Sequence, residues 1–322
     1  MALLEIKDLS KTFDAGTPSE TVAAYHLDLS LERGECVAVV GESGCGKSTL
    51  AKLITCVEKP DSGSIVFDGT ELAKLSRREL RQKRRMMQMV FQQPVSAISP
   101  RMTIGSFMKV PLVNFGIVSR EDLDDEVDRL LAMVQLPPSY KDKLPHEVSG
   151  GELQRVMIAR AMAGRPALLI CDEATSALDV AVQQEIIDLI NRLKDETGVA
   201  CIFITHDLSL VRQVSQRVIV MYRGRIVEKM SSRNIVSEAG HPYTKLLLSS
   251  VFGVNCDQDK VPDVMPEDAL VEREEYGCPF YGRCPLGEAS CGNTEIMLEE
   301  ASGDGTHLVA CPKTARGKVN EQ

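Results

Sequence analysis

The chain has 322 residues, with 37 Lys+Arg against 46 Asp+Glu, a formal net charge of −9, 43% hydrophobic and 4% aromatic residues, no Trp and ten Cys. That length allows one large domain and a smaller one with ample core, which excludes a disordered or fibrous chain, and the acidic balance argues against bulk nucleic-acid binding, which needs a basic face. No stretch approaches the ~18 consecutive apolar residues that cross a bilayer, and ten cysteines spread through a long chain without a signal peptide fit a reducing cytosol better than a secreted disulfide scaffold.

Alternation at Leu4, Ile6 and Leu9, and again at Leu27, Leu29 and Leu31, predicts antiparallel strands with one wet face. Short apolar runs then recur at Val37–Val40, Ile65–Phe67, Met86–Phe91, Leu168–Cys171, Cys201–Ile204 and Val218–Met221, each too brief for a helix and each reading as a buried strand. Helical spacing over Leu153–Met162 and Val182–Leu193 lies between them. Strand and helix thus alternate through residues 35–215, which predicts an α/β core on a parallel sheet with the antiparallel strands added. Residues 94–166 hold helical pattern without a clear strand and read as a helical insertion. This places one large domain over 1–252, an acidic linker over 253–276 and a small four-cysteine module over 277–322, too small to build a core without a staple. The run Lys74–Arg85 carries seven Lys or Arg in twelve residues, but without interleaved aromatics it reads as a solvated helix or connection, not a nucleic-acid face.

The strand Val37–Val40 runs into Gly41-Glu42-Ser43-Gly44-Cys45-Gly46-Lys47-Ser48-Thr49, and an apolar-periodic helix follows at Leu50. This is GxxxxGK followed by Ser or Thr, in its required context of strand, loop and helix. Glycines let backbone N–H groups turn toward phosphates, the helix start adds its positive dipole end, Lys47 reaches the terminal phosphates and Ser48 ligates magnesium. Cys45 reads as small filler in a tight turn. A second acidic element, Asp172-Glu173, closes the apolar strand Leu168–Cys171. There Asp172 would hold the magnesium shell and Glu173 would polarise the attacking water. Ser149 and Glu152 stand at capping-box spacing, yet Gly150 and Gly151 in the same first turn cost helix stability and expose N–H groups to a phosphate.

With these motifs in this order, residues 3–250 closely resemble the nucleotide-binding subunits of ATP-binding-cassette (ABC) transporters. The resemblance implies a P-loop NTPase core that binds ATP and Mg2+ and hydrolyses ATP with Glu173, His206 and Lys47 as catalytic residues. It implies that Phe13 stacks on adenine, that Gln92 senses magnesium and couples to the membrane subunit, and that His206 contacts the γ-phosphate. It also implies that Ser149, Gly150, Gly151 and Glu152, with Asp179, act across a head-to-tail dimer on the partner's ATP. Three positions depart from the family pattern: Glu152 stands for the usual Gln, Gln93 for Asp and Ala174 for Pro. A carboxylate at Glu152 either slows one of the two sites or points into the helix cap.

His241-Pro242-Tyr243, followed by a cysteine-bearing tail, resembles the ATPases of oligopeptide, dipeptide and nickel importers. Alone, His-Pro-Tyr is a helix start. Cys278, Cys284, Cys291 and Cys311 fall at C-x5-C-x6-C-x19-C, compatible with a 4Fe-4S cluster, a structural zinc site or unpaired thiols; the resemblance favours the cluster. It implies a heterodimer with a second ATPase subunit, two transmembrane permease subunits and an extracytoplasmic substrate-binding protein. The chain would then be peripheral on the cytoplasmic side of the inner membrane and would power import of peptides or a related small solute. The alternative is the ATPase of a soluble non-transport assembly such as a phosphonate-degrading lyase complex.

Overall fold

The computed structural model describes residues 2–17, 19–92, 97–176, 178–252, 277–301, 303 and 305–315. Gln93, the first residues of the predicted helical insertion (94–96), the acidic linker (253–276) and the end of the predicted module (316–322) lie outside the described residues.

Two sheets carry the fold. Strands β1 (Leu4–Phe13), β2 (Thr21–Leu31), β4 (Ser62–Phe67) and β5 (Thr70–Glu71) form an antiparallel sheet in the order β2-β1-β4-β5. The second sheet joins β3 (Cys36–Val40), β6 (Met87–Val90), β7 (Leu168–Asp172), β8 (Ala200–Thr205), β9 (Arg217–Tyr222), β10 (Arg225–Ser231), β11 (Glu299–Glu300) and β12 (Leu308–Val309) in the order β11-β12-β10-β9-β3-β8-β7-β6. From β9 to β6 the pairing is parallel; β10, β12 and β11 add antiparallel. The predicted strands therefore stand, each within a few residues. The run at Met86–Phe91 is trimmed because Met86 ends a helix and Phe91 is half exposed.

β3 is the centre of this arrangement. Its five residues Cys-Val-Ala-Val-Val are all buried, and the pleat sends Val37 and Val39 to one core and Ala38 and Val40 to another. Apolar side chains on both faces are what a strand flanked by parallel neighbours needs. Each fully buried Val is worth roughly 1.5–3 kcal/mol, so this strand fixes where the loop that follows it emerges. Between β6 and β7, the helices Ile104–Phe115, Leu123–Met133 and Gly150–Met162 form the helical insertion and share one apolar cluster with the helix Val180–Thr197.

The basic run is mostly the helix Arg77–Met86, capped by Ser76 and Glu79 and burying none of its residues. Its arginines act as struts. Arg81 donates to the Asn114 carbonyl near the end of Ile104–Phe115 (2.8 Å), Arg84 to those of Thr55 and Cys56 just past the helix Lys47–Ile54, and Arg85 to that of Gly164 past Gly150–Met162 (3.2 Å). Positive groups at helix C-termini satisfy carbonyls that have no partner within the helix.

The expected separate cysteine module is corrected. The described residues between 277 and 315 dock on the core: β12 pairs with Glu228 and Lys229 of β10, and Phe280 is fully buried against Tyr222 and Tyr243. The sequence shows no hydrophobic period there because the segment borrows its core from β9, β10 and the helix Pro242–Phe252. His307 anchors it further, its Nε2 lying 2.7 Å from Glu228, a carboxylate with no exposed surface that also accepts the N–H groups of Gly240 and His241.

Candidate nucleotide site

After β3 the chain turns through Gly41-Glu42-Ser43-Gly44-Cys45-Gly46 into the helix Lys47–Ile54. Two glycines are dictated by space. A Cβ on Gly41 would lie 2.2 Å from the Met221 carbonyl oxygen, and one on Gly46, at φ +106, would lie 2.2 Å from that of Ala23. Only a residue without a Cβ lets the backbone lie this close to its neighbours. Cys45 is buried, and burial pushes its thiol above its ordinary value, so it fills the turn as an inert group.

A cleft of about 270 Å3 opens over this loop, lined by Phe13, Thr21, Ala23, Ser43, Gly44, Gly46, Lys47, Ser48, Thr49, Gln92 and Glu173. It brings together the predicted adenine-stacking ring, the phosphate loop, the glutamine and the carboxylate. Lys47 donates from Nζ to the carbonyls of Gly41 (2.7 Å) and Glu42 (2.8 Å), which parks its charge at the loop. Ser48 Oγ donates to Asp172 Oδ1 at 3.1 Å. Burial pushes the Asp172 carboxyl up, against the lowering effect of the Ser48 hydroxyl. A hydroxyl and a buried carboxylate are hard oxygen donors, the set that suits Mg2+, so these residues fit the ion.

Glu173 follows the end of β7 in a left-handed backbone conformation, φ 49, and its N–H donates to the Ile204 carbonyl in β8 (3.0 Å). Such strain is held only where surrounding structure over-determines it and clusters at functional sites. Both carboxylate oxygens have company: Gln92 Nε2 donates to Oε2 at 2.8 Å, and His206 Nδ1 lies 3.7 Å from Oε1. Gln92 also reaches Ser176 Oγ at 3.3 Å.

Ser149, Gly150, Gly151, Glu152 and Asp179 do not line this cleft. Ser149 and Glu152 close a full capping box at the start of Gly150–Met162, and the Tyr140 hydroxyl donates to the second oxygen of Glu152. Of the two readings of Glu152, the structure shows the cap. Gly151 faces Val182 so closely that a Cβ would come within 2.4 Å of its Cγ1. Asp179 accepts the Val182 N–H at 3.0 Å and caps Val180–Thr197.

Residues 25–176 match the family described as "ABC transporter", and residues 227–291 match "Oligopeptide/dipeptide transporter, C-terminal region". The chain is 41% identical over 96% of its length, and 89% of the relative's, to the probable peptide ABC transporter ATP-binding protein y4tS of Sinorhizobium fredii. The chain belongs to the ABC transporter ATP-binding family. It is also 39% identical to the oligopeptide transport ATP-binding protein OppF of Salmonella typhimurium (97% of this chain, 96% of that protein) and 37% to AppF of Bacillus subtilis (96% of each). The dimeric post-hydrolysis structure of the ATP-binding cassette MJ0796, bound to ADP and Pi, superposes with a TM-score of 0.65 at 31% identity over 71% of this chain and 99% of that one. CbiO1 of Clostridium perfringens, part of the ABC transporter complex CbiONQ, gives 0.67 at 29% identity over 74% and 91%.

In this ABC ATPase, Cys278, Cys284, Cys291 and Cys311 line one pocket, but its volume is about 20 Å3, room for roughly one water. Among the described residues no group of three or more His, Cys, Asp or Glu side chains is arranged to hold a metal ion. The expected 4Fe-4S cluster and its zinc alternative therefore find no support. No described helix is long and apolar enough to cross a membrane.

Two residues at the loop escaped the sequence reading. The Tyr243 hydroxyl accepts the Glu42 N–H at 2.8 Å, and Arg283 Nη1 donates to the Glu42 carboxylate at 3.1 and 3.3 Å. They lie 201 and 241 residues from Glu42; the only local signal was the His-Pro-Tyr motif, whose His241 Nδ1 accepts the Tyr243 N–H at 3.1 Å and whose Pro242 opens the helix.

Proposed function

We propose that this ABC ATPase is the ATP-hydrolysing subunit of a peptide importer. The observation that carries the reading is a cleft lined by Phe13, the phosphate loop, Gln92 and Glu173, with Asp172 bonded to Ser48 and His206 lying 3.7 Å from Glu173. The match of its C-terminal region to the oligopeptide/dipeptide family, and relatives named for peptide and oligopeptide transport, support the solute class. The lyase assembly draws no such support.

In this reading the phosphate loop and Lys47 bind the phosphates of ATP, Phe13 faces the base, and Ser48 with Asp172 and Gln92 would hold Mg2+. The ion, when bound, offsets phosphate charge. Glu173 accepts the proton of the attacking water while Gln92 and His206 orient its carboxylate. Positioned general bases contribute about 10²–10⁴-fold. Ser149, Gly150, Gly151 and Asp179 complete the site of a second ATPase subunit, in a heterodimer. An extracytoplasmic binding protein would deliver the peptide, and the subunit would sit peripherally on the cytoplasmic side of the inner membrane.

The test is Glu173→Gln. The variant is expected to bind ATP with near-normal affinity and to hydrolyse it about 10²–10⁴-fold more slowly. Wild-type turnover would move the base elsewhere.

A further inference from the structure

Every polar group of Glu42 is held. Its N–H donates to the Tyr243 hydroxyl (2.8 Å), its carbonyl accepts from Lys47 Nζ (2.8 Å), and its carboxylate accepts from Arg283 Nη1. Two of these partners come from the C-terminal region. Tyr243 is fully buried in the helix Pro242–Phe252 and Arg283 stands in the short turn Tyr281–Arg283. Arg283 is itself fixed, donating to the Tyr222 hydroxyl at 3.3 Å with its guanidinium 5.6 Å from the Phe280 ring centroid.

The arrangement answers a problem of charge. A carboxylate within a phosphate loop repels the polyphosphate the loop exists to bind, and Coulomb repulsion between like charges some 8–10 Å apart at a protein surface is worth about a power of ten in affinity. A guanidinium fixed on that carboxylate cancels the repulsion.

We propose that Arg283 and Tyr243 are positioning residues for the ATP site: Arg283 neutralises and anchors the Glu42 carboxylate, Tyr243 anchors its peptide N–H, and the C-terminal region thereby sets the affinity of the phosphate loop for ATP. The proposal rests on the ATPase reading of the cleft. It gives the docked tail a function inside the catalytic cycle, because any event that lifts the segment carrying Arg283 leaves the Glu42 carboxylate uncompensated and weakens ATP binding while Tyr243 and Lys47 keep their contacts to Glu42.

The full-length chain in its assembled complex tests this by the KM and kcat of ATP hydrolysis. Arg283→Ala is expected to raise KM for ATP about five- to tenfold, with kcat within about twofold, and the effect should shrink as salt is raised and the charges are screened. Arg283→Lys should recover part of the loss. Adding Glu42→Gln to Arg283→Ala should bring KM back down, since the uncompensated carboxylate is then gone; loss of a merely structural tail contact would not be repaired that way. Tyr243→Phe, which removes the acceptor for the Glu42 N–H, should raise KM about two- to tenfold. An unchanged KM in Arg283→Ala, or a raised KM that Glu42→Gln fails to lower, overturns the proposal while leaving the ATPase reading intact. Absence of ATP binding by the unaltered chain would bring both down together.

Discussion

The phosphate loop and the segment Ser149–Glu152 look alike in sequence, each placing glycines at the start of a helix, and they are built for opposite ends. In the first, Lys47 and Ser48 line an open cleft, and Gly41 and Gly46 are required because backbone oxygens stand where a Cβ would go. In the second, the Ser149 hydroxyl and N–H are closed on Glu152, and Gly151 is required by a side chain, Val182. Glycines at a helix start thus serve either to admit a ligand to the backbone or to let one helix seat against another. Only the first use makes a site within a single chain.

The largest effect that would sharpen this contrast is Lys47→Ala, expected to lower ATP affinity at least about 100-fold, as loss of a charge-assisted phosphate contact in a desolvated cleft does. Equilibrium binding of a fluorescent ATP analogue reads it, and retained affinity would break the comparison at its root. Next come the glycines. Gly151→Ala should cost about 1–3 kcal/mol by overpacking Val182. Gly46→Ala should cost more, since it meets the rigid Ala23 carbonyl and forces an L-residue to positive φ. Thermal melting of the two variants checks the order, and equal losses would remove the distinction between backbone and side-chain constraint.

The smallest effect is acid sensitivity at the cap. The Tyr140 hydroxyl and the Ser149 N–H hold the Glu152 carboxyl below its usual range. Its contribution is therefore fully present above about pH 4.3 and lost as pH falls through the depressed folded value. Unfolding followed from pH 6 to about pH 3 should show a shallower loss in Glu152→Gln than in the unaltered chain; identical slopes would mean the carboxylate is not what the cap depends on.

Most of the nucleotide core was legible because its determinants are local. Apolar runs such as Val37–Val40 name their own strands, and Gly41–Thr49 carries its chemistry within nine residues. Glu173, Gln92 and His206 were legible through motif order, yet their meeting on one carboxylate is tertiary. The tail was the failure. Four cysteines suggested a self-contained metal module, whereas Phe280, Leu308 and Val309 find their partners in β9 and β10, and Arg283 finds its own at Glu42. No period of two or 3.6 marks a segment whose hydrophobic complement lies on another element.

The pairing of β12 on β10 has a practical side for solubility. Ending the chain at Phe252 would uncover the outer edge of β10, leaving Glu228 and Lys229 without their β12 neighbours and the buried Glu228 carboxylate without the His307 imidazole. An open strand edge recruits other edges, and natural sheets cover theirs for that reason. The C-terminal segment is thus also an edge guard, and a shortened ATPase domain is expected to self-associate through β10 in addition to binding ATP more weakly.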